Sequence, residues 1–413
     1  MSKSLTRIMM LGSLAGVAAA PLAGQATVAS SSDSASQQIR AMVARLDLAQ
    51  YKATVKGLTQ FGDRRQGTAR NRAAVDWIEA QLKSYGCTPT GRVTYDFKSP
   101  PPRQRLTPEQ LATMRARAAA STVHQGPGGS RMRGKIDQTG VNTDSLLQPD
   151  AALRALDTPQ SVDGERQEVY CTKVGTTHPD EMYIVSGHMD GIGWGEAAND
   201  DGSGTALVMQ LARVFSSPDV KTDRSIRFIL WNNEETGLNG ARAYVAQREA
   251  LQGKEDPAGS GKYPEPKWLG VIQHDMMMFD HGMPKPDGSM SKVQRPEADV
   301  NIEFQSKSKM ATESQKLAWE VANSNEKYAT DYPASVGQHM TNTDSQPFQD
   351  LVPSISLREN ERGAQIGAGW DPQWHQPTDL FKTYSDDDFR LGLNAAQTTL
   401  GAVATLSGAK LVR

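Results

Sequence analysis

Carboxylates and imidazoles in this chain gather just after apolar runs. Tyr183-Ile184-Val185 leads through Ser186-Gly187 to His188 and Asp190, and an Asp200-Asp201 pair follows before Gly202-Ser203-Gly204. Ile226 to Trp231 leads into Asn232-Asn233-Glu234-Glu235, and Trp268 to Ile272 leads to His274 and Asp275. The loop Trp370-Asp371-Pro372-Gln373-Trp374-His375 carries a further imidazole. A mixed histidine and carboxylate set suits Zn2+ or a similar divalent ion. Two histidines with several carboxylates are enough for two ions that share a bridging carboxylate. Such a pair can polarise a carbonyl and activate a water. A carboxylate left free beside the ions would be a general base.

These groups meet only if the apolar runs are strands of one sheet. Strands are expected at Val93 to Phe97, Val169 to Lys173, Met182 to Ser186, Ile226 to Trp231, Trp268 to Ile272 and Val352 to Leu357. Helical spacing appears around Ile39 to Leu46, up to Phe61, from Asn71 to Tyr85, and over Ala206 to Phe215. It returns over Gly240 to Arg248, over Ala311 to Asn323 with Thr312 as its cap, and from Ser385 to about Leu406. Gly86 stands where a helix C-cap would, and Ser385 with Asp388 has capping-box spacing. The alternation predicts an α/β three-layer sandwich, a mostly parallel mixed sheet with helices on both faces. In such sheets functional groups collect at the C-terminal strand ends.

A chain of 413 residues suits one large α/β domain or two domains. Its formal charge of −2 lacks the basic footprint of a nucleic-acid binder. Lys3 and Arg7, the apolar stretch Ile8 to Ala20 and the small residues around Ala23-Gly24-Gln25-Ala26 read as a signal peptide over 1–26. That stretch is too short to span a membrane. The expectation is an exported chain, periplasmic or extracellular, with no membrane insertion after removal of the signal and a single domain over 27–413. Residues 98–165 break the pattern, with Ser99-Pro100-Pro101-Pro102, Gly126-Pro127-Gly128-Gly129 and one helical piece near Thr107 to Ala119. They read as an insertion draped on the surface. Cys87 and Cys171 are either one disulfide, as an oxidising compartment allows, or two buried thiols.

Taken in order, GHMDG, NDDGSG, NNEETGLNG, QHDMM and WHQPTD resemble the motifs of the di-zinc M28 peptidases, the aminopeptidase Y-like exopeptidases. FGDRRQGTARN is similar to the segment after that family's first helices. The resemblance covers most of the chain beyond the leader. It implies a zinc exopeptidase fold, a peptide substrate and two zinc ions. His188 and Asp275 would complete one ion's set, Glu235 and His375 the other's, and Asp200 would bridge them, with a cis peptide between Asp200 and Asp201. Glu234 would be the general base, and Asp190 would accept from the second ring nitrogen of His188.

Only the family pattern separates Glu234 from Glu235. Asp280 competes with Asp275, and His339 with His375, whereas His274 reads as a packed neighbour. Gly191-Ile192-Gly193-Trp194-Gly195 does not open a helix after a strand as a dinucleotide loop should. Ser203 lacks the flanking glycines of a nucleophile elbow. Thr343-Asp344-Ser345-Gln346-Pro347-Phe348 departs from the family stretch, with Ser345 where His is common. The implied activity is an exported metallo-exopeptidase, an aminopeptidase first. The alternatives are a carboxypeptidase, in which Arg358 contacts a C-terminal carboxylate or is merely a surface residue, and a glutaminyl cyclase-like acyltransferase with one zinc. Oligomeric state is left open.

Overall fold

The computed structural model describes residues 34–99, 141–279, 300–338, 342–359 and 371–412. The segment 1–26, the piece at 107–119, His124, Asp280, His281, His339 and Trp370 lie outside the described residues.

Each long apolar run becomes an inner strand of one eight-stranded sheet. The strands are β1 (Thr90–Phe97), β2 (Gly164–Lys173), β3 (His178–His188), the two-residue β4 (Val220–Lys221), β5 (Arg224–Trp231), β6 (Lys267–His274), β7 (Val300–Phe304), β8 (Ala334–Gly337), β9 (Ser354–Arg358) and the two-residue β10 (Lys410–Leu411). The sheet order is β1-β2-β5-β3-β6-β9-β7-β8, and β4 pairs separately with β10. The inner strands β5, β3, β6 and β9 run parallel. β1, β2 and β7 are joined antiparallel to their inner neighbours. Being buried on both faces, β5 and β9 read as continuous apolar or small-residue runs rather than alternating ones.

Helices cover the sheet. A helix across 34–43 (α1) is followed by α2 (Leu48–Thr59), α3 (Ala69–Ser84), α4 (Ala151–Asp157), α5 (Gly202–Phe215), α6 (Asn239–Arg248), α7 (Ala311–Tyr328) and α8 (Asp386–Ser407). α5 is buried along almost its whole length and packs beneath β3 and β5. The larger core cluster joins α1–α3, α5, α7 and α8 to one sheet face. On the other face Tyr244 of α6 packs with Trp231, Trp268 and Phe348.

Two of the three end signals expected from the sequence are present. Gly86 takes φ 76 just past α3, and Ser385 and Asp388 form a reciprocal capping box. Thr312 is not a cap, because α7 begins at Ala311 without a side-chain cap bond. Cys87 and Cys171 form a disulfide that ties the segment after α3 to β2 inside the core.

Two strands, β7 and β8, extend the sheet where no strand was expected. They are short segments of five and four residues; β7 is buried between β9 and β8, and only β8, half-buried, is at the edge. β2 begins at Gly164, inside the interval read as an insertion. The described end of that interval, 141–163, is not merely draped on the surface. Gln148 and Asp157 are fully buried and bonded to the loops around them.

Candidate metal centre

β3, β5, β6 and β9 end at one edge. In the β3–β5 register His188 lies opposite Trp231, so the residues after both strands emerge side by side. The predicted residues His188, Asp200, Glu234, Glu235, Asp275 and His375 meet there, all nearly or fully buried.

Asp200 is the hinge of the arrangement. Its Oδ1 lies 3.3 Å from His188 Nε2, and its Oδ2 lies 3.0 Å from His375 Nε2. Asp275 Oδ1 stands 3.8 Å from His188 Nε2, and Glu235 Oε2 stands 2.9 Å from His375 Nε2. Ligand-type atoms of His188, Asp200 and Glu235, and again of His188, Glu234 and Asp275, fall within 4.8 Å of one another. The geometry thus separates the adjacent glutamates. Glu235 belongs with His375, and Glu234 faces His188 and Asp275.

The donor set fits divalent ions. Four carboxylates are packed against two imidazoles, and Glu235 Oε1 and His375 Nδ1 have no hydrogen-bond partner among the described residues. Buried charge of one sign requires a counter-charge. Burial pushes the Glu235 carboxyl up to about 7, against the pull of His375. Burial pulls the His375 ring down, but Glu235 and Asp200 outweigh it and raise it to about 10. Burial likewise drives the Glu234 carboxyl well above its ordinary value, and His188 only partly opposes it.

Main-chain anchors hold the ligands. Asp201 caps α5 by accepting from Gly204 N at 2.9 Å, and its carboxylate also takes the amides of His188 at 3.0 Å and Met276 at 3.1 Å. One side chain therefore fixes the ends of β3 and β6 to the start of α5. The Asp200–Asp201 peptide is cis, as the family pattern implies. Asp379 accepts from the amides of Asn199 and Asp200. Asn199 in turn bridges Glu359 and Asp371.

Two sequence expectations need correction, and a third segment gains a role. The carboxylate of Asp190 does not receive the second nitrogen of His188. That nitrogen, Nδ1, lies 3.1 Å from the Asp190 main-chain carbonyl, while Asp190 Oδ1 accepts from Glu234 N at 3.1 Å. Two residues after His188 the chain has already turned, so its carbonyl is nearer the ring than its side chain is. Arg358 is neither a surface residue nor a free carboxylate binder. It is buried, with Nη2 2.9 Å from Asp275 Oδ2 and Nε 3.8 Å from Glu303. The glycine-rich loop 191–195 is the seat of the His375 loop, since a Cβ on Gly193 would fall 2.4 Å from the His375 carbonyl carbon.

His274 sits in the core between Ser186 O and Thr399 Oγ1, away from the ligand set. Ser203 donates to Asn199 O as an ordinary helix-start residue.

Arg64 was missed. Fully buried, it donates to the carbonyls of Met189, Glu196 and Ala197, which brackets the loop between His188 and Asp200. Its signal lay in the quoted FGDRRQGTARN stretch. Asp379 closes the quoted WHQPTD stretch without having been given a role, and Tyr384 lies in none of the quoted motifs.

The model of peptidase family M28 matches residues 168–397, more than half of the chain, and the chain belongs to that family. Aminopeptidase YwaD of Bacillus subtilis (strain 168) is 46% identical over 68 residues, which are 16% of this chain and 14% of that protein. Carboxypeptidase Q of Xenopus laevis is 35% identical over 71 residues, 17% of this chain and 15% of that protein. The chain thus spans only about a seventh of the length of these curated relatives in the matched stretches. The solved structure of BSAP, a zinc aminopeptidase from Bacillus subtilis, superposes with a TM-score of 0.55 at 16% identity, covering 87% of this chain and 95% of that one. At that identity the likeness concerns the fold, a mixed sheet between helical layers.

Proposed function

We propose that the chain is an exported exopeptidase working with two zinc ions, and an aminopeptidase in the first instance. One observation carries the reading. The two oxygens of Asp200 face two separate ligand sets, His188 with Asp275 and His375 with Glu235. Zinc bound there would polarise the scissile carbonyl and make the attacking water more acidic. Glu234 then takes the proton from that water and passes it to the leaving amine. Its burial beside His188 and Asp275 suits a carboxyl whose proton affinity has been raised above its ordinary value, as a base that must hold and return a proton requires. Asp190 holds the Glu234 amide and so aims this segment at the ligands.

Arg358 is buried and ion-paired with Asp275, so it is not a surface residue waiting for a substrate carboxylate, and the carboxypeptidase reading has no exposed cation to lean on there. A glutaminyl cyclase with one zinc would need only one of the two ligand sets. Export rests on the 1–26 segment and is compatible with the Cys87–Cys171 disulfide, because such bonds persist in oxidising compartments. Among the described residues no helix is long and apolar enough to cross a membrane. The reading takes 27–413 as a single domain.

Glu234→Gln tests the mechanism. Hydrolysis of peptides with a free N-terminus should fall ~10²–10⁴-fold while zinc content stays unchanged. Loss of zinc in that variant would reassign Glu234 as a ligand. Equal cleavage of N-acetylated and free peptides would remove the aminopeptidase reading.

A further inference from the structure

Metal-bound histidines ordinarily donate their second ring nitrogen to an acceptor that fixes the ring. His188 follows that rule through the Asp190 carbonyl. His375 does not: among the described residues its buried Nδ1 has no partner, and the residue sits at φ 58, a backbone region few non-glycine residues adopt. Conformations of this kind persist where the surroundings over-determine them. Something other than a ring hydrogen bond must hold His375.

The neighbouring contacts come from a segment that lies before the family match. Asn142 N donates to the His375 carbonyl at 3.0 Å, and Asn142 Nδ2 reaches Gly193 O at 3.4 Å. Gln148 is fully buried, and its Nε2 donates to two carbonyls on facing loops, Trp194 O at 2.7 Å and Pro377 O at 2.9 Å. Its Oε1 accepts from Asp150 N at 3.1 Å, so every polar atom of the side-chain amide is used. Trp194 follows Gly193, on whose Cα face the His375 backbone rests, and Pro377 lies two residues past His375. One amide group therefore joins the glycine loop to the His375 loop, and the Asn142 N–H pins the residue between them.

We propose that Gln148 and Asn142 are positioning residues for His375, and that 141–148 is a staple holding the Glu235–His375 side of the centre in register. The proposal rests on the reading of His375 as a zinc ligand. Substituting Gln148 by a residue without donors leaves two buried carbonyls unpaired and lets the loops part. The result would be selective loss of metal rather than general unfolding.

The test compares zinc affinity, by competition with a chromophoric chelator, in the full chain and in the variants Gln148→Met, Gln210→Met and His375→Ala. Gln210 is equally buried and bonded to Thr54, on α5 away from the ligands. It reports what losing a core amide costs by itself. Gln148→Met should hold the weaker zinc equivalent ~10-fold or more less tightly, while Gln210→Met matches the parent chain. Should Gln148→Met not fold, Gln148→Asn is the milder variant, since its shorter amide cannot reach both Trp194 O and Pro377 O, and it should weaken zinc several-fold. Parent-like affinity in whichever staple variant folds, or a loss no larger than that of Gln210→Met, overturns the staple. If His375→Ala loses zinc and the staple variants do not, the staple fails and the ligand reading stands. If His375→Ala keeps parent affinity, the ligand reading falls and the staple with it.

Discussion

Asp379 accepts the main-chain amide of Asp200 at 3.1 Å, so a residue four positions after His375 holds in place the carboxylate that faces both ligand sets. Its other oxygen takes the Asn199 amide at 2.9 Å and the Tyr384 hydroxyl at 3.0 Å. The His375 loop and the Asp200 loop are therefore built as one piece. Asp379→Ala would leave two buried amides without acceptors, a cost of about 1–3 kcal/mol each. Its denaturation midpoint should drop, and zinc should dissociate ~10-fold more readily, as chelator competition would read. Unchanged zinc retention would mean that Asp200 keeps its place without this anchor.

Arg358 touches Asp275 from the side away from His188. With Asp275 Oδ2 engaged by the guanidinium at 2.9 Å, only Oδ1 is turned toward the ligand set. Arg358→Met removes one partner of a buried ion network that also includes Glu303, and should destabilise the fold by about 3–5 kcal/mol. The relative rates on peptides with free and amidated C-termini should not change. A selective loss on free C-termini would show that Arg358 reads substrate after all.

The candidate ligand residues were legible because His188, Glu235 and Asp275 follow apolar runs that read as buried strands, and because all five stand in motifs whose order resembles one family. His188, Asp200, Glu235, Asp275 and His375 all converge at the predicted edge. What holds them was legible only as membership of a motif, not as a role: Arg64, Asp201 and Asp379 lie in the quoted stretches, and Gln148 lies in none. Arg64 and Gln148 act on main-chain carbonyls, and Asp201 and Asp379 act on main-chain amides. Such targets exist at every residue and leave no mark in the pattern of side chains. Asp190 shows the same limit from the other side. Its type suggested a carboxylate behind His188, but the backbone turn offers the carbonyl there and sends the carboxylate to Glu234. β7 and the edge strand β8 were missed because runs of five and four residues, all four of β8 partly exposed, carry too little periodicity.

The Cys87–Cys171 bond closes a stretch of 84 residues, including the whole interval between β1 and β2. Cross-linking that distance restricts the unfolded chain. Cys87→Ala with Cys171→Ala should lower unfolding free energy by about 2–4 kcal/mol, measured by urea titration. The metal centre lies at the opposite ends of the strands from Pro89 and Thr172, which are joined beside the bond. The zinc content of the folded fraction should therefore match that of the parent. A parent-like unfolding free energy would show that the two thiols are not linked in the protein as isolated.

His274 supplies a pH signature that is independent of the ligands' own titration. Burial lowers its ring to about 4, with Ser186 O opposing, and Thr399 Oγ1 contacts the other nitrogen. The unfolded ring has its ordinary value of about 6.5. Between these values the unfolded chain binds the additional proton. The stability contributed by the neutral ring is complete above pH 6.5 and is lost as pH falls toward 4, by about 3 kcal/mol in all. Metal held nearby would disfavour the charged ring further and leave the sign unchanged. In chelator-treated protein, His274→Gln should lose this part of the acid sensitivity: its unfolding free energy should decline less steeply than the parent's between pH 6.5 and 4, by up to one proton's worth of slope. Parallel curves would mean that the ring titrates alike in both states, and that its neutral form is not what the contacts with Ser186 and Thr399 select.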